Sequence, residues 1–151
     1  MATNSEPVIL DSDIDACGVP PGTRRNVLFV DVDPKLVDLH TLPESDGVRM
    51  RAARAAVDAQ LRALGLTVER CVIDCGAAAE SVVRDALSRG DVDCVLICAG
   101  ARVVPENLLL FERVINTVHR HAPRATICFN SCPADTVDAA RRGLAAAAAN
   151  R

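Results

Sequence analysis

Four apolar runs of strand length, each followed by a segment with helical character, most constrain what this chain can fold into. They are Asn26–Asp33 (NVLFVDVD), Leu66–Asp74 (LTVERCVID), Asp93–Cys98 (DCVLIC) and Ala125–Asn130 (ATICFN). Short apolar runs that alternate with amphipathic helices are typical of strands buried on both faces of a parallel sheet. The alternation therefore predicts an α/β fold with a four-stranded parallel sheet and helices on both faces.

Caps and breaks between these runs predict four helices. They are expected from Ser45 or Asp46 to Gly65, over about 78–89, over 105–122 after a loop at 99–104, and from about 133 into an alanine-rich tail. For the first helix we expect an apolar stripe toward the sheet and arginines outside. The stripe is Val48, Ala52, Ala55, Ala56, Ala59 and Leu61, and the arginines are Arg49, Arg51, Arg54 and Arg62.

The spatial order of the strands is predicted to be 2-1-3-4. Crossovers between parallel strands are right-handed, and the first and third runs contain the most continuously apolar sequences, VLFV and CVLI, as central strands should. The pattern resembles the flavodoxin-like and Rossmann-like three-layer sandwich, a single-domain fold that suits 151 residues. We expect residues 26–151 to form this doubly wound domain, and residues 1–25, which are rich in Gly and Pro, to form a flexible arm.

Composition argues against several classes of function. The net charge is −3, Lys35 is the only lysine, and Trp and Tyr are absent, so a nucleic-acid partner is not expected. No apolar run approaches the ~20 residues of a bilayer span, so a membrane partner is not expected either. Seven cysteines without a secretory signal predict free thiols in a reducing cytoplasm.

Cofactor motifs are missing from the turns that would carry them. The first strand is followed neither by G-x-G-x-x-G nor by the G-x-x-x-x-G-K-[ST] of a P-loop. The cysteines show no C-x-x-C spacing and the histidines no H-x-x-x-H spacing. We therefore predict no cofactor and no metal ion.

Polar groups and thiols occur where the predicted strands end, which is the edge where such sheets bind ligands. A guanidinium suits a carboxylate or phosphate, and a helix N-terminus favours a thiolate. The catalytic candidates are Asp31 and Asp33 as bases and, more weakly, Cys75 and Cys98 as nucleophiles; the ligand-binding candidates are Gly100, Arg102, Asn130 and Ser131. We expect Arg102 to meet Asp31 and Asp33, either as an anion anchor or in a surface network of ion pairs.

Six of the seven cysteines repeat the spacing C-x-x-x-C, at 71/75, 94/98 and 128/132. Residues four apart in a strand share a face, and free cysteine is among the most buried residue types. The spacing indicates small core residues or, alternatively, three thiols at one sheet edge: Cys75, Cys98 and Cys132.

Three resemblances to known proteins stand out, two of them confined to one segment each. Asp31–Asp38 (DVDPKLVD) resembles the first motif of the haloacid-dehalogenase superfamily, whose two Asp residues act as nucleophile and acid/base; Pro34 and Lys35 replace its usual Gly and Thr.

Asp93–Asp135 resembles the middle of lactate and malate dehydrogenases through DCVLICAGAR, HAPRATICFN and SCPAD, which implies topology alone because the glycine fingerprint is missing. NVLFVDVDPKLVD, LLLFERVINTVHRHAP and ICFNSCPADT are similar to small bacterial doubly wound proteins without established activity, which implies the fold.

Two functions are consistent with these observations. The first is the binding of a small anionic molecule at the C-terminal edge of the sheet, by a binding protein or a minor enzyme. The second is a non-catalytic interaction module, shaped like a receiver domain, that forms a homo-oligomer. Its apolar surface would come from Leu108–Phe111 and the alanine-rich tail.

Overall fold

The computed structural model describes residues 25–33 and 44–150, and within them strands alternate with helices; the side chains of residues 44–47 and 50 are outside the description. The strands are β1 (Asn26–Val32), β2 (Thr67–Ile73), β3 (Cys94–Ile97) and β4 (Thr126–Phe129). The helices are α1 (Glu44–Ala63), α2 (Ala79–Leu87), α3 (Ala99–Val103), α4 (Leu108–His121) and α5 (Thr136–Ala149), with 3-10 turns at Pro105–Asn107 and Pro133–Asp135. The predicted α/β alternation is confirmed, whereas the predicted arm, up to residue 24, lies outside the described residues.

The sheet formed by these strands is entirely parallel, in the order β2-β1-β3-β4. β1 pairs with β2 along its full length, from Asn26 opposite Thr67 to Val32 opposite Ile73. On its other side β1 pairs with β3, which in turn pairs with β4. All four residues of β3 are buried, and all of β1 after Asn26. The predicted strand order and the central position of the first and third strands are therefore confirmed.

The helices cover the sheet in two groups, which gives the three layers of the predicted sandwich. α1 contacts α5, and α5 packs on β3 and β4. α2 contacts α4, and α2 and α3 pack on β1. At the outer strand β2, Glu69 forms an ion pair with Arg89. Among the described helices, none combines the length and the apolarity that crossing a bilayer requires.

The buried face of α1 is not the predicted one. The predicted stripe is exposed except for its last member: Val48, Ala52, Ala55, Ala56 and Ala59 lie on the surface and Leu61 is buried. Val57 and Leu61 face the core, and the half-buried Arg54 and Asp58 lie on the same face. An alanine gains only about 0.8 kcal/mol from burying its methyl group, so two larger apolar side chains and the ion pairs of Arg54 and Asp58 decide the rotation of the helix.

The predicted loop at 99–104 is wrong, because the chain enters α3 directly after β3. Cys98 is the extended residue before the helix, and Ala101 is the buried residue within it. Val104 is extended again, and Pro105 then opens the 3-10 turn that leads into α4. Proline lacks the N–H that a helix interior needs and restricts the residue before it to extended backbone, so one continuous helix cannot run through this segment.

Gly143 brings the backbone of α5 directly onto the thiols of two strands. A Cβ added at this position would overlap Cys94 Sγ and lie 2.9 Å from Cys128 Sγ. The hydroxyl of Thr126 donates to the Gly143 carbonyl at 2.6 Å. The missing side chain therefore sets how closely α5 approaches β3 and β4.

We expect Gly143→Ala to destabilise the fold by about 1–3 kcal/mol, the usual cost of overpacking a core. Urea unfolding of the variant measures this loss. Gly90→Ala is the matched control, because a Cβ added at Gly90 meets no atom within 4 Å. In the Gly143→Ala/Cys94→Ala double variant the closest overlap is removed, so part of the lost stability should return. Wild-type stability in Gly143→Ala would contradict this packing.

Candidate functional site

A cavity of about 150 Å³ opens between the C-terminal ends of β1 and β3. After β1 the chain crosses to β2 on one side, and after β3 it crosses to β4 on the other side. Doubly wound sheets bind ligands at the point where the direction of the crossovers reverses in this way. Four of the predicted site residues line the cavity: Asp31, Cys98, Gly100 and Asn130. Arg54 and Arg70 also line it, as do Phe29, Val32, Val57, Ala99, Cys132, Pro133 and Thr136.

Asp31 is the charge at the centre of this cavity, and its residue surface is only 6% exposed. Its Oδ2 lies 2.7 Å from Arg70 Nη1 and 3.0 Å from Arg54 Nη2. Arg70 also binds Asp58 through Nη2, and its guanidinium lies over the Phe29 ring, 4.4 Å from the centroid. Paired charges and bound N–H groups offset the cost of burying a carboxylate, so β1, β2 and α1 are joined at this point.

Cys98 directly follows β3 and is a buried thiol next to Asp31. Its pKa is raised above that of a free cysteine, chiefly because burial disfavours the thiolate and further because of the Asp31 carboxylate. A nucleophilic cysteine needs thiolate character. The surroundings of Cys98 therefore favour a protonated core thiol over an activated nucleophile.

Asn130 follows β4 and joins three segments through its buried side chain. Its Oδ1 accepts from the Ala99 N–H at 2.8 Å, and its Nδ2 donates to Thr136 Oγ1 at 2.9 Å. The Thr136 hydroxyl in turn donates to the Pro133 carbonyl at 2.8 Å. Asn130 thus fixes the starts of α3 and α5 against the end of β4 and shapes the cavity wall.

Arg102 is adjacent to the cavity but does not line it. Its Nη2 donates to the Asn130 carbonyl at 3.0 Å, and its guanidinium lies over the Phe129 ring, 5.6 Å from the centroid. The arginines that bind Asp31 are Arg54 and Arg70. The expected meeting of Arg102 with Asp31 is therefore wrong, because β2 and α1 supply the cations from the other side of β1.

Ser131 is part of a turn that closes on Asp135, away from the cavity lining. Its backbone N–H and its hydroxyl both donate to the Asp135 carboxylate, as does the Cys132 N–H. The Ser131 hydroxyl, followed by these backbone donors, lowers the pKa of Asp135. Ser131 is therefore used to start α5, and its hydroxyl already has a strong acceptor.

Cys75 and Asp33 also lie outside the cavity lining. Cys75 is exposed beyond β2, where its thiol donates to Asn107 Oδ1 at 3.5 Å, and Asn107 Nδ2 donates to the Gly100 carbonyl at 3.0 Å. Asp33 is half-buried, and its backbone N–H donates to the Ile73 carbonyl at 2.9 Å. Cys75, Cys98 and Cys132 do lie beyond the C-terminal ends of their strands, but only Cys98 and Cys132 reach the cavity.

Sequence reasoning missed the two arginines of the site for different reasons. Arg70 lies in β2 next to a second charged residue, Glu69, and a charge within a strand that borders a central one is a usable signal for a buried partner. Arg54 gave no such signal, since the alanines around it permitted several rotations of α1. The ion pair with Asp31 is what turns Arg54, among the arginines of α1, toward the cavity.

A second recess, of about 700 Å³, lies at the opposite pole and is lined mainly by polar groups, among them Asp91, Asp93 and Arg124. It is at the N-terminal ends of β3 and β4, where ligands of doubly wound sheets are not bound. In the parts of the chain that the structure covers, no three His, Cys, Asp or Glu side chains are grouped to hold a metal ion. The smaller cavity remains the better candidate site.

Comparisons with known proteins add no functional assignment to this geometry. No family model matches the chain, and neither the curated proteins nor the solved structures compared with it gave a match. Any function must therefore be argued from the cavity and the surface.

We expect iodoacetamide to modify Cys75 and Cys132 in the folded protein, and Cys71 and Cys98 only after unfolding, because the first two are exposed and the last two buried. Burial, with a contribution from Glu69, also raises the pKa of Cys71 to about 11. Peptide mass spectrometry after timed labelling at pH 8 measures the rates. Cys71 is the internal control for unfolding, and labelling of Cys98 much faster than Cys71 would indicate an accessible, reactive thiol at the cavity.

Proposed function

We propose that this protein binds a small carboxylate or phosphate non-covalently in the cavity beside Asp31. The observation that carries the proposal is the arrival of two half-buried arginines, Arg54 and Arg70, at a partly apolar cavity on the switch-point edge of the sheet. Planar guanidinium groups suit carboxylate and phosphate geometry. Binding sites are typically concave and apolar with a few placed polar groups.

The volume of the cavity limits the ligand. Sites for drug-sized molecules measure about 300–1,000 Å³, whereas this cavity holds about 150 Å³. A whole nucleotide exceeds that space. A short-chain carboxylic acid, with its apolar part near Phe29 and Val57, or a single phosphate group suits it better.

Arg54 is the better anchor of the two arginines. Arg70 is divided between Asp31 and Asp58. Within the described residues, both polar contacts of Arg54 use Nη2: an ion pair with Asp31 and a hydrogen bond to the Val32 carbonyl at 3.5 Å. A guanidinium has five N–H donors, so Arg54 can bind an anion without releasing Asp31.

The geometry favours binding over catalysis. Asp31 Oδ2 is already bound by two guanidinium groups, so this oxygen is not free to contact a substrate proton donor, as a general base must. Cys98 is a buried thiol whose pKa is raised. Neither group has the activated surroundings of a general base or a nucleophile.

We expect acetate, propionate or inorganic phosphate to raise the melting temperature of the wild type in a saturable way, since a ligand at 100 times its Kd adds about 2.7 kcal/mol. Arg54→Gln should need a ligand concentration at least ten times higher for the same rise in melting temperature. Arg51→Gln, an exposed arginine on the same helix, is the matched control and should respond like the wild type. Differential scanning fluorimetry at constant ionic strength measures all three proteins.

Equal responses of Arg54→Gln and Arg51→Gln would rule out Arg54 as the anchor. No saturable shift in the wild type with any of these anions would rule out the proposed ligand class. The baseline melting temperature of Arg54→Gln without ligand separates loss of binding from loss of folding.

A second candidate function, self-association through an apolar surface, is favoured by three exposed side chains. Val103 at the end of α3 is 58% exposed, and Leu108 and Leu109 at the start of α4 are 58% and 66% exposed. Only a three-residue 3-10 turn and Val104 separate these positions. Contiguous apolar surface often marks an interaction site. The predicted surface at 108–111 is smaller than expected, since Leu110 is buried and Phe111 half-buried.

If this surface joins two copies, light scattering after size exclusion should give twice the chain mass of 16.0 kDa at high concentration. Leu109→Lys should shift the protein to monomer, because a charge in an apolar interface is costly. Val82→Lys, an exposed position on α2, is the control and should leave the mass unchanged. A wild type that stays monomeric across the concentration series would exclude this function.

A further inference from the structure

Two buried thiols face each other across neighbouring strands. Cys94 begins β3 and Cys128 lies within β4, two register positions further along, so their side chains share one face of the sheet. Their sulfur atoms are 3.2 Å apart. Cys94 has no exposed surface and Cys128 is 7% exposed. No other pair of described cysteines is in sulfur contact.

The surroundings hold these sulfurs in place. The strands are fixed by their parallel pairing, and the side-chain-free Gly143 lets α5 close over both thiols. The hydrogen bond from Thr126 to the Gly143 carbonyl fixes the helix at this point. The fold therefore holds the two sulfur atoms close to each other, which favours the formation of a bond between them.

The electrostatics distinguish the two thiols. The contact between the two sulfur atoms lowers the pKa of Cys94 and, with burial, raises the pKa of Cys128. The thiolate is the reactive form of cysteine. Cys94 is thus the more nucleophilic partner, and Cys128 carries the shared proton.

We propose that Cys94 and Cys128 form a reversible disulfide when the folded protein meets a hydroperoxide. In the first step the Cys94 thiolate attacks the peroxide, so that an S–O bond forms, the O–O bond breaks and hydroxide leaves. In the second step Cys128 sulfur attacks the sulfenic sulfur, the S–S bond forms, the S–O bond breaks and water leaves with the Cys128 proton. The proton that Cys94 releases on forming its thiolate neutralises the hydroxide, so two thiols and one hydrogen peroxide give one disulfide and two waters.

The recess at the polar pole of the molecule lies beside the start of β3, where Cys94 is buried. The recess of about 700 Å³ there is lined by Asp93, next to Cys94 in the chain, and by Thr126, which lies opposite Cys94 in the pairing of β3 with β4. This recess has room for a small peroxide next to the residues that flank Cys94. Bond formation requires the sulfurs to close from 3.2 Å to about 2.05 Å, a movement that side-chain rotation can supply.

The consequence is a covalent link between β3 and β4 across a segment of 34 residues. Such a link restricts the unfolded chain more than the folded one. The oxidised protein should therefore unfold at a higher urea concentration than the reduced protein. This inference does not depend on a ligand in the cavity beside Asp31.

The test uses the full chain with Cys75→Ser and Cys132→Ser, which removes the two described exposed thiols. Hydrogen peroxide is added to the folded protein, remaining thiols are blocked with N-ethylmaleimide in urea, and non-reducing peptide mass spectrometry locates the link. We expect two fewer blocked thiols, a Cys94–Cys128 peptide pair, a higher urea midpoint and full reversal by dithiothreitol. Adding Cys128→Ser should abolish the link, whereas Cys71→Ser, another buried strand cysteine, should leave it.

Three outcomes would overturn the proposal: both thiols still blocked after peroxide, a link to a different cysteine, or a Cys94–Cys128 link that forms only when peroxide is added in urea. If Cys128→Ser does not fold, the peptide map of the parent still decides between these outcomes and the expected one.

Discussion

The buried carboxylate of Asp31, shared by Arg54 and Arg70, is the interaction on which the described arrangement of α1, β1 and β2 depends. Once a carboxylate is buried at the end of a central strand, cations must come to it, because leaving it unpaired costs several kcal/mol. β2 supplies one guanidinium and α1 the other. The same requirement explains why α1 turns Arg54 inward and its alanines outward, and why two arginines reach the cavity.

The fold was predictable because its signals are local and repeated. The apolar runs of β1 and β3, the punctuation between elements and the right-handed crossover rule were sufficient for the order β2-β1-β3-β4. Where a local rule competed with a tertiary contact, the prediction failed. The alanine stripe of α1 was a plausible core face by periodicity, but the ion pair with Asp31 and the burial of Val57 and Leu61 outweighed it.

The candidate site was predictable in its place and only in part in its members. Asp31, Cys98, Gly100 and Asn130 were predicted from their positions near the ends of strands. The C-terminal ends of parallel strands lie at one edge of the sheet, so residues near these ends come close together. Which of the arginines binds Asp31 depends on the rotation of α1 and on the register of β2. Neither can be derived from the spacing of residues in the sequence. Arg102 was therefore assigned the contact that Arg54 and Arg70 make.

Among the described strands, β2 has only β1 as a hydrogen-bonded neighbour, so one row of its backbone groups faces away from the described sheet. Such rows invite sheet extension and aggregation, and charged side chains on the strand discourage it. Glu69, held by Arg89, and Arg70, held by Asp31 and Asp58, lie side by side in β2 and point to opposite faces. A strand from another chain that paired with β2 would have to accommodate a negative charge on one face and a positive charge on the other. Arg70, whose ion pairs organise the cavity, therefore also disfavours extension of the sheet by another chain.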